Sequence, residues 1–242
     1  MENELTQKFH CSAAECDAQR ELSLLSLAGN LIEVATAHAD SLGIGNAAMP
    51  GSGWVLARLT IEMQQYPPAL TDYSIVTWVE GWNRHFSERC FEVQDVEGRT
   101  MGYARSVWMV MDLEKHTNVG LEHLDLPYGL VSDRPCPIAR QSRPRPLVDP
   151  QVHEYRFVYS DIDYYRHVNT LRYIQLLLNR FSLEQFDRNR LERFEIAFMH
   201  ECYYGETGRV ELSRNGQEYD MAITTERTAA IRGRLRFAPR NH

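Results

Sequence analysis

The chain has 242 residues, enough for one large domain or two of roughly 100–130 residues each. Apolar residues make up 43% and charged residues 24%, an ordinary globular composition, and no run of about 18 apolar residues would make a membrane span. The net charge of −7 is uneven: residues 1–130 hold 8 Lys and Arg against 18 Asp and Glu, whereas residues 131–242 hold 18 against 15, with no dense basic helix or stripe of the kind that binds nucleic acid. The N-terminal "MENELTQKFH" is acidic and lacks an apolar core, so neither a signal peptide nor an organelle transit peptide is expected. Five scattered cysteines, with no C-x-x-C pair, read as free thiols of a cytoplasmic protein rather than as a zinc site.

In chain order, the spacing predicts a first helix over 21–42, where Leu24, Ala28, Leu31 and Ala35 recur on one face. "GIGNAAMPGSG" breaks it. A strand follows in "WVLARLTIEM", with Val55, Ala57, Leu59, Ile61 and Met63 alternating with polar residues, and "YPP" ends it. Three further strands are predicted over 72–82, 86–95 and 101–113, the last two joined by the turn "DVEGR". Residues 131–150 contain five prolines and read as an extended linker rather than a packed element. Beyond it come a strand over 153–159, a helix over 169–186 and strands over 193–203, 208–214, 218–226 and 228–237, with "RNGQE" as a hairpin turn. In the last strand Arg232, Arg234 and Arg236 form a basic face predicted to be solvated.

The two halves repeat one another. "CDAQRELSLLSLAGNLIEVA" lies on "IDYYRHVNTLRYIQLLLNRF" without gaps, so that Asp17 falls on Asp163, Glu21 on His167, Ser23 on Asn169 and Leu27 on Tyr173. The simplest architecture is α+β: two fused copies of one unit, each an antiparallel sheet wrapped around a single long helix. The expected domains are 1–130 and 151–242, with 131–150 between them.

The stretch "SDIDYYRHVNT" admits two readings. Asn169 is a good N-cap and Asp161 and Asp163 favour turns. Equally, a carboxylate and a histidine at a helix mouth suit hydrolysis of an ester or thioester. Asp163 would activate water or attack the carbonyl, His167 would orient it or move a proton, and helix N–H groups near Asn169 would hold the oxyanion. The repeat favours the second reading, because the first copy keeps the aspartate but has Glu21 where the histidine stands. Further on, Glu201 and Cys202 would point to opposite faces of a regular strand, so both reach one site only through a bulge. Glu201 is the preferred participant, and Cys202 continues an apolar series.

These residues resemble the acyl-acyl carrier protein thioesterase family, whose pattern Asp-x-Asn-x-His-Val-Asn-Asn precedes a Tyr-Ile helix. The chain keeps Asp163, His167, Val168, Asn169, Tyr173 and Ile174. "MHECYYGE" is similar to the family's Glu-Cys strand, "GSGWVLARLTIEMQQYPP" to its Gly-x-Gly-Trp strand and Tyr-Pro-Pro turn, and "RSVWMVMDLEKH" to its Met-Asp-Leu strand. The likeness spans about residues 9–237. It implies a double hotdog fold, a bacterial type, an acyl carrier protein as partner, no cofactor or metal, an acyl-chain pocket in the first hotdog, and catalytic roles for Asp163, His167, Asn169, Glu201 and Cys202. Tyr165 departs from it, standing where the family has asparagine, and joins the candidate catalytic residues through a hydroxyl that can donate or accept but lies farther from the backbone. An acyl-CoA thioesterase, a hotdog hydratase and a non-catalytic acyl-binding protein are the alternative functions, and a homodimer is compatible with the sequence. Arg188, Arg190 and Arg193 form a candidate surface for an acidic carrier.

Overall fold

The computed structural model describes residues 3–122, 124, 126 and 129–240. The chain forms two compact units, Met1–Arg140 and Gln141–His242.

The first unit contains β1 (Glu4–His10), α1 (Leu24–Ser41), β2 (Ser52–Met63), β3 (Asp72–Trp82), β4 (Ser87–Gln94), β5 (Thr100–Asp112) and the short β6 (Thr117–Asn118). Its sheet is antiparallel throughout, in the order β1–β3–β4–β5–β2, with β6 on β5. Helix α1 packs on β1 and β3. It buries Leu24, Leu27, Ala28, Leu31, Val34, Ala35, His38 and Ala39, the i, i+3, i+4 stripe that the sequence pattern predicts. A polar cluster interrupts this apolar interior. Arg89 is 5% exposed, and its Nη1 donates to His38 Nδ1 at 2.7 Å and to Thr77 Oγ1 at 3.3 Å. Burial pulls its guanidinium down to about 10, still charged at neutral pH.

The second unit contains β7 (Gln151–Arg156), α2 (Thr170–Leu178), α3 (Leu183–Arg188), β8 (Asn189–Phe198), β9 (Thr207–Asn215), β10 (Glu218–Thr224) and β11 (Ala229–Pro239). Its antiparallel order, β7–β9–β10–β11–β8, copies that of the first unit strand for strand. The hairpin β9–β10 turns on Gly216, whose φ of 66° is the left-handed conformation that glycine adopts without strain.

Four sequence expectations change. In β2 a bulge between Leu56 and Arg58 shifts the phase, so Leu56 rather than Val55 is buried, while Leu59, Ile61 and Met63 remain inward. The second helix is not continuous over 169–186. It stops at Leu178, and Ser182 caps a new helix by accepting from Gln185 N–H at 3.2 Å. Phe181, between the two, enters an aromatic cluster with Phe186, Tyr219 and Phe237.

The basic face of β11 is only partly solvated: Arg234 is 9% exposed, donating to Asp220 at 2.9 Å and Ser142 at 2.7 Å, while Arg232 and Arg236 are half-buried and Arg236 donates to Glu192 at 2.7 Å. Nor is the proline-rich stretch a free linker. Cys136 and Ile138 are buried against Val76, Trp78 and Cys90. Arg105 donates to the carbonyls of Ile138 at 3.0 Å and Cys136 at 3.2 Å. Residues beyond 140 lie on the second sheet, through Ser142 to Glu195 at 2.8 Å and Ser213 to the Val148 carbonyl at 2.7 Å. An extended chain carries its own unpaired backbone groups, and neighbouring side chains satisfy them here.

Candidate active site

The loop between β7 and α2 is a tight turn closed by a bridge between Ile162 and Val168. Asp163 N–H donates to the His167 carbonyl at 2.9 Å, and Arg166 N–H donates to the Asp163 carbonyl at 2.9 Å, with Arg166 at φ 67°. The carboxylate of Asp163 closes the turn: Oδ1 accepts from the N–H of Tyr165 at 2.9 Å and of His167 at 3.4 Å. Val168 N–H then donates to the Cys202 carbonyl at 2.9 Å, which ties the turn to the segment after β8.

The first unit builds the same turn. Asp17 N–H donates to the Glu21 carbonyl at 2.9 Å, Arg20 N–H donates to the Asp17 carbonyl at 3.2 Å, and Arg20 has φ 60°. Asp17 Oδ1 accepts from Gln19 N–H at 3.0 Å and Glu21 N–H at 3.3 Å. Leu22 N–H donates to the Pro67 carbonyl at 2.8 Å, as Val168 does to Cys202. The aspartate therefore does the same backbone work in both copies, and its recurrence does not by itself speak for chemistry in the second. The copies differ at the end of the turn, where His167 replaces Glu21, and in the segment it meets, where Glu201 stands one residue before the carbonyl as Tyr66 does in the first unit.

His167 Nδ1 lies 3.2 Å from Glu201 Oε1, their side chains 20% and 41% exposed. A carboxylate only accepts, so the contact suits a ring with its proton on Nδ1; in the neutral form Nε2 would be the basic nitrogen. Glu201 Oε2 accepts from the Tyr203 hydroxyl at 3.2 Å. The rings of Tyr203 and His167 meet edge to face, 5.1 Å apart at 87°. Sequence reasoning missed Tyr203. Its one signal was position, two residues after Glu201.

Asn169 caps α2, its Oδ1 accepting from Leu171 N–H at 2.8 Å. Its own N–H donates to the Asp161 carbonyl at 2.8 Å. Of the first-turn donors, Thr170 N–H has no hydrogen-bond partner among the described residues. Tyr165 contributes its backbone N–H to the turn, and its ring lies against that of Tyr164, tilted by 36° with centroids 4.0 Å apart.

The expected strand over 193–203 ends at Phe198, because Met199 and His200 both donate to the Ala230 carbonyl, at 2.8 and 3.2 Å. Strict alternation therefore does not reach Glu201 and Cys202, yet they diverge: Glu201 meets His167, while Cys202 is fully buried. Burial pushes the Cys202 thiol up to about 11, so it stays protonated at neutral pH and is not presented as a nucleophile. Tyr173 accepts from Cys202 N–H at 2.9 Å. Two arginines of the expected carrier surface are paired with carboxylates. Arg193 pairs with Glu195 at 2.7 Å with its side chain 11% exposed, and Arg188 pairs with Glu184.

Residues 2–122 match the acyl-ACP thioesterase N-terminal domain, and residues 145–233 match the acyl-ACP thioesterase C-terminal domain. An acyl-ACP thioesterase from Bacteroides thetaiotaomicron is similar over 98% of both chains, at 30% identity and a TM-score of 0.88. The 12:0-ACP thioesterase from Umbellularia californica shares the fold at 18% identity and a TM-score of 0.84, over 98% of this chain and 94% of that one. The palmitoyl-acyl carrier protein thioesterase of Arabidopsis thaliana is 27% identical over 215 residues, which are 81% of this chain and 52% of that protein. The chain thus spans about half the length of the curated relatives it matches. With two domains that both match in order, and with the double hotdog fold, the chain belongs to the acyl-acyl carrier protein thioesterase family.

Proposed function

We propose that the protein hydrolyses acyl-acyl carrier protein to a free fatty acid and the carrier thiol, using His167 and Glu201. The observation that carries this reading is the 3.2 Å contact between His167 Nδ1 and Glu201, which supports a neutral ring with its proton on Nδ1 and Nε2 as the base. Nε2 takes a proton from water as the oxygen attacks the thioester carbonyl carbon. The Thr170 N–H at the mouth of α2 is suited to the oxyanion. The C–S bond then breaks, and the proton passes from His167 to the leaving sulfur.

Asp163 serves by holding the turn that carries His167, Asn169 by capping α2, and Tyr165 through its backbone alone. Cys202 takes no part as a thiol. The N-terminal hotdog is the proposed acyl-chain pocket, as its apolar interior and the family likeness suggest. Among the described residues no helix is long and apolar enough to cross a membrane, and the five free cysteines suit a reducing cytoplasm, where we place the protein.

The test is release of free thiol from acyl carrier protein loaded with acyl chains of graded length, beside the matched acyl-CoA series. Wild type is expected to turn over the carrier-bound substrates, and Glu201→Gln and His167→Ala to lose about a hundredfold or more in kcat. Preference for acyl-CoA would favour the CoA-thioesterase alternative. Acyl binding without thiol release would make the protein an acyl carrier rather than an enzyme.

A further inference from the structure

We infer that Tyr203 is a positioning residue for the His167–Glu201 pair, an inference that rests on the hydrolase reading above. Glu201 is a long side chain on a segment that is no longer a strand, and it is 41% exposed, so nothing in the backbone pattern fixes its carboxylate. Its two oxygens face different side chains. Oε1 faces His167 at 3.2 Å and Oε2 accepts from Tyr203 at 3.2 Å, so a rotation of the carboxylate would break both contacts. The same tyrosine ring stands edge-on to His167 at 5.1 Å and limits the imidazole's swing. One residue thus restrains both members of the pair.

Tyr203 is itself anchored. Its N–H donates to the Glu206 carboxylate at 2.9 Å, Glu206 N–H donates to the Tyr203 carbonyl at 3.2 Å, and Gly205 N–H donates to the Phe157 carbonyl at 2.9 Å. Burial and the neighbouring negative charge of Glu201 raise its phenol above the ordinary range, so the hydroxyl remains a donor throughout the neutral region. Tyr165, at the motif position that differs from the family, has its ring on Tyr164 and adds no side-chain bond to the pair. Tyr203 is the tyrosine placed to supply one.

Tyr203→Phe removes the hydroxyl and keeps the ring. We expect kcat to fall about tenfold with KM and melting temperature unchanged. In a Glu201→Ala background, measured by single turnover, the same substitution should cause no further loss, because the bond it removes is already gone. An independent readout is the nitrogen NMR of the His167 ring: wild type should show the proton on Nδ1, and Tyr203→Phe a mixture of tautomers. Wild-type kcat in Tyr203→Phe, or an equal loss in both backgrounds, overturns the inference. A wild-type protein that releases no thiol refutes the hydrolase reading instead. In that case an unchanged His167 tautomer in Tyr203→Phe overturns the inference by itself.

Discussion

Asp163 stands four residues before His167 and would be a natural base, yet its carboxylate is bonded to two backbone N–H groups of its own turn, and Asp17 repeats those bonds in a copy that has Glu21 in the histidine's place. This comparison yields a sharp prediction. Asp163→Ala and Asp17→Ala each remove two turn hydrogen bonds and should each cost about 1–2 kcal/mol of stability in urea unfolding. Only Asp163→Ala should also lower kcat, because His167 closes that turn. Asp163→Asn retains an acceptor oxygen and should keep most of the activity. Thiol-release kinetics on the three variants decide the matter. An asparagine variant as inactive as the alanine one would show that the charge itself takes part, as base or nucleophile. At this scale the sequence singled out His167 and Glu201, which meet in the structure, and the apolar series that buries Cys202. Tyr203 was not singled out: two residues after Glu201 it would share that residue's face in any case, and only the fold brings its ring edge-on to His167.

The elements were legible where one periodicity ran unbroken. The stripe Leu24, Leu31, Ala35 defined α1, and the end of β2 at Met63 followed from its alternation and the prolines behind it. They were misread where a local hydrogen bond overrode the pattern: the bulge in β2, the two donors on Ala230 that end β8, and the Ser182 cap that divides the second helix. Such caps weigh more on a short helix. Helix α2 has 9 residues and α1 has 18, and nucleation is the same cost for both. Asn169→Ala should therefore destabilise by about 1 kcal/mol, and Asn169→Asp or Asn169→Ser should restore most of it. Chemical denaturation midpoints test this. A loss of kcat in Asn169→Ala that Asn169→Ser recovers would follow from misplacing the first turn, with its Thr170 donor, rather than from any contact of the asparagine with substrate.

Across the whole molecule, duplication was the most legible feature, because Asp17 and Asp163 align without a gap and the two sheets share one strand order. The proline-rich stretch was the least legible. Composition marks it as extended, and it is extended, but composition does not say whether an extended chain is solvated or laid on a sheet. Ile138 decides the question. It is 6% exposed, in no helix or strand, and it packs with Val76, Trp78, Cys90 and Cys136 while Arg105 holds its carbonyl at 3.0 Å. If this segment covers the first sheet, Ile138→Ala opens a cavity in a core and should cost about 2–4 kcal/mol, lowering the urea midpoint. Pro146→Ala, at an exposed position of the same stretch, should change stability by no more than about 1 kcal/mol, acting through the unfolded chain. A tether in solvent would give two small effects instead. The contrast between the variants therefore reports whether the proline-rich segment belongs to the folded unit, and an unchanged midpoint for Ile138→Ala would return it to the status of a linker.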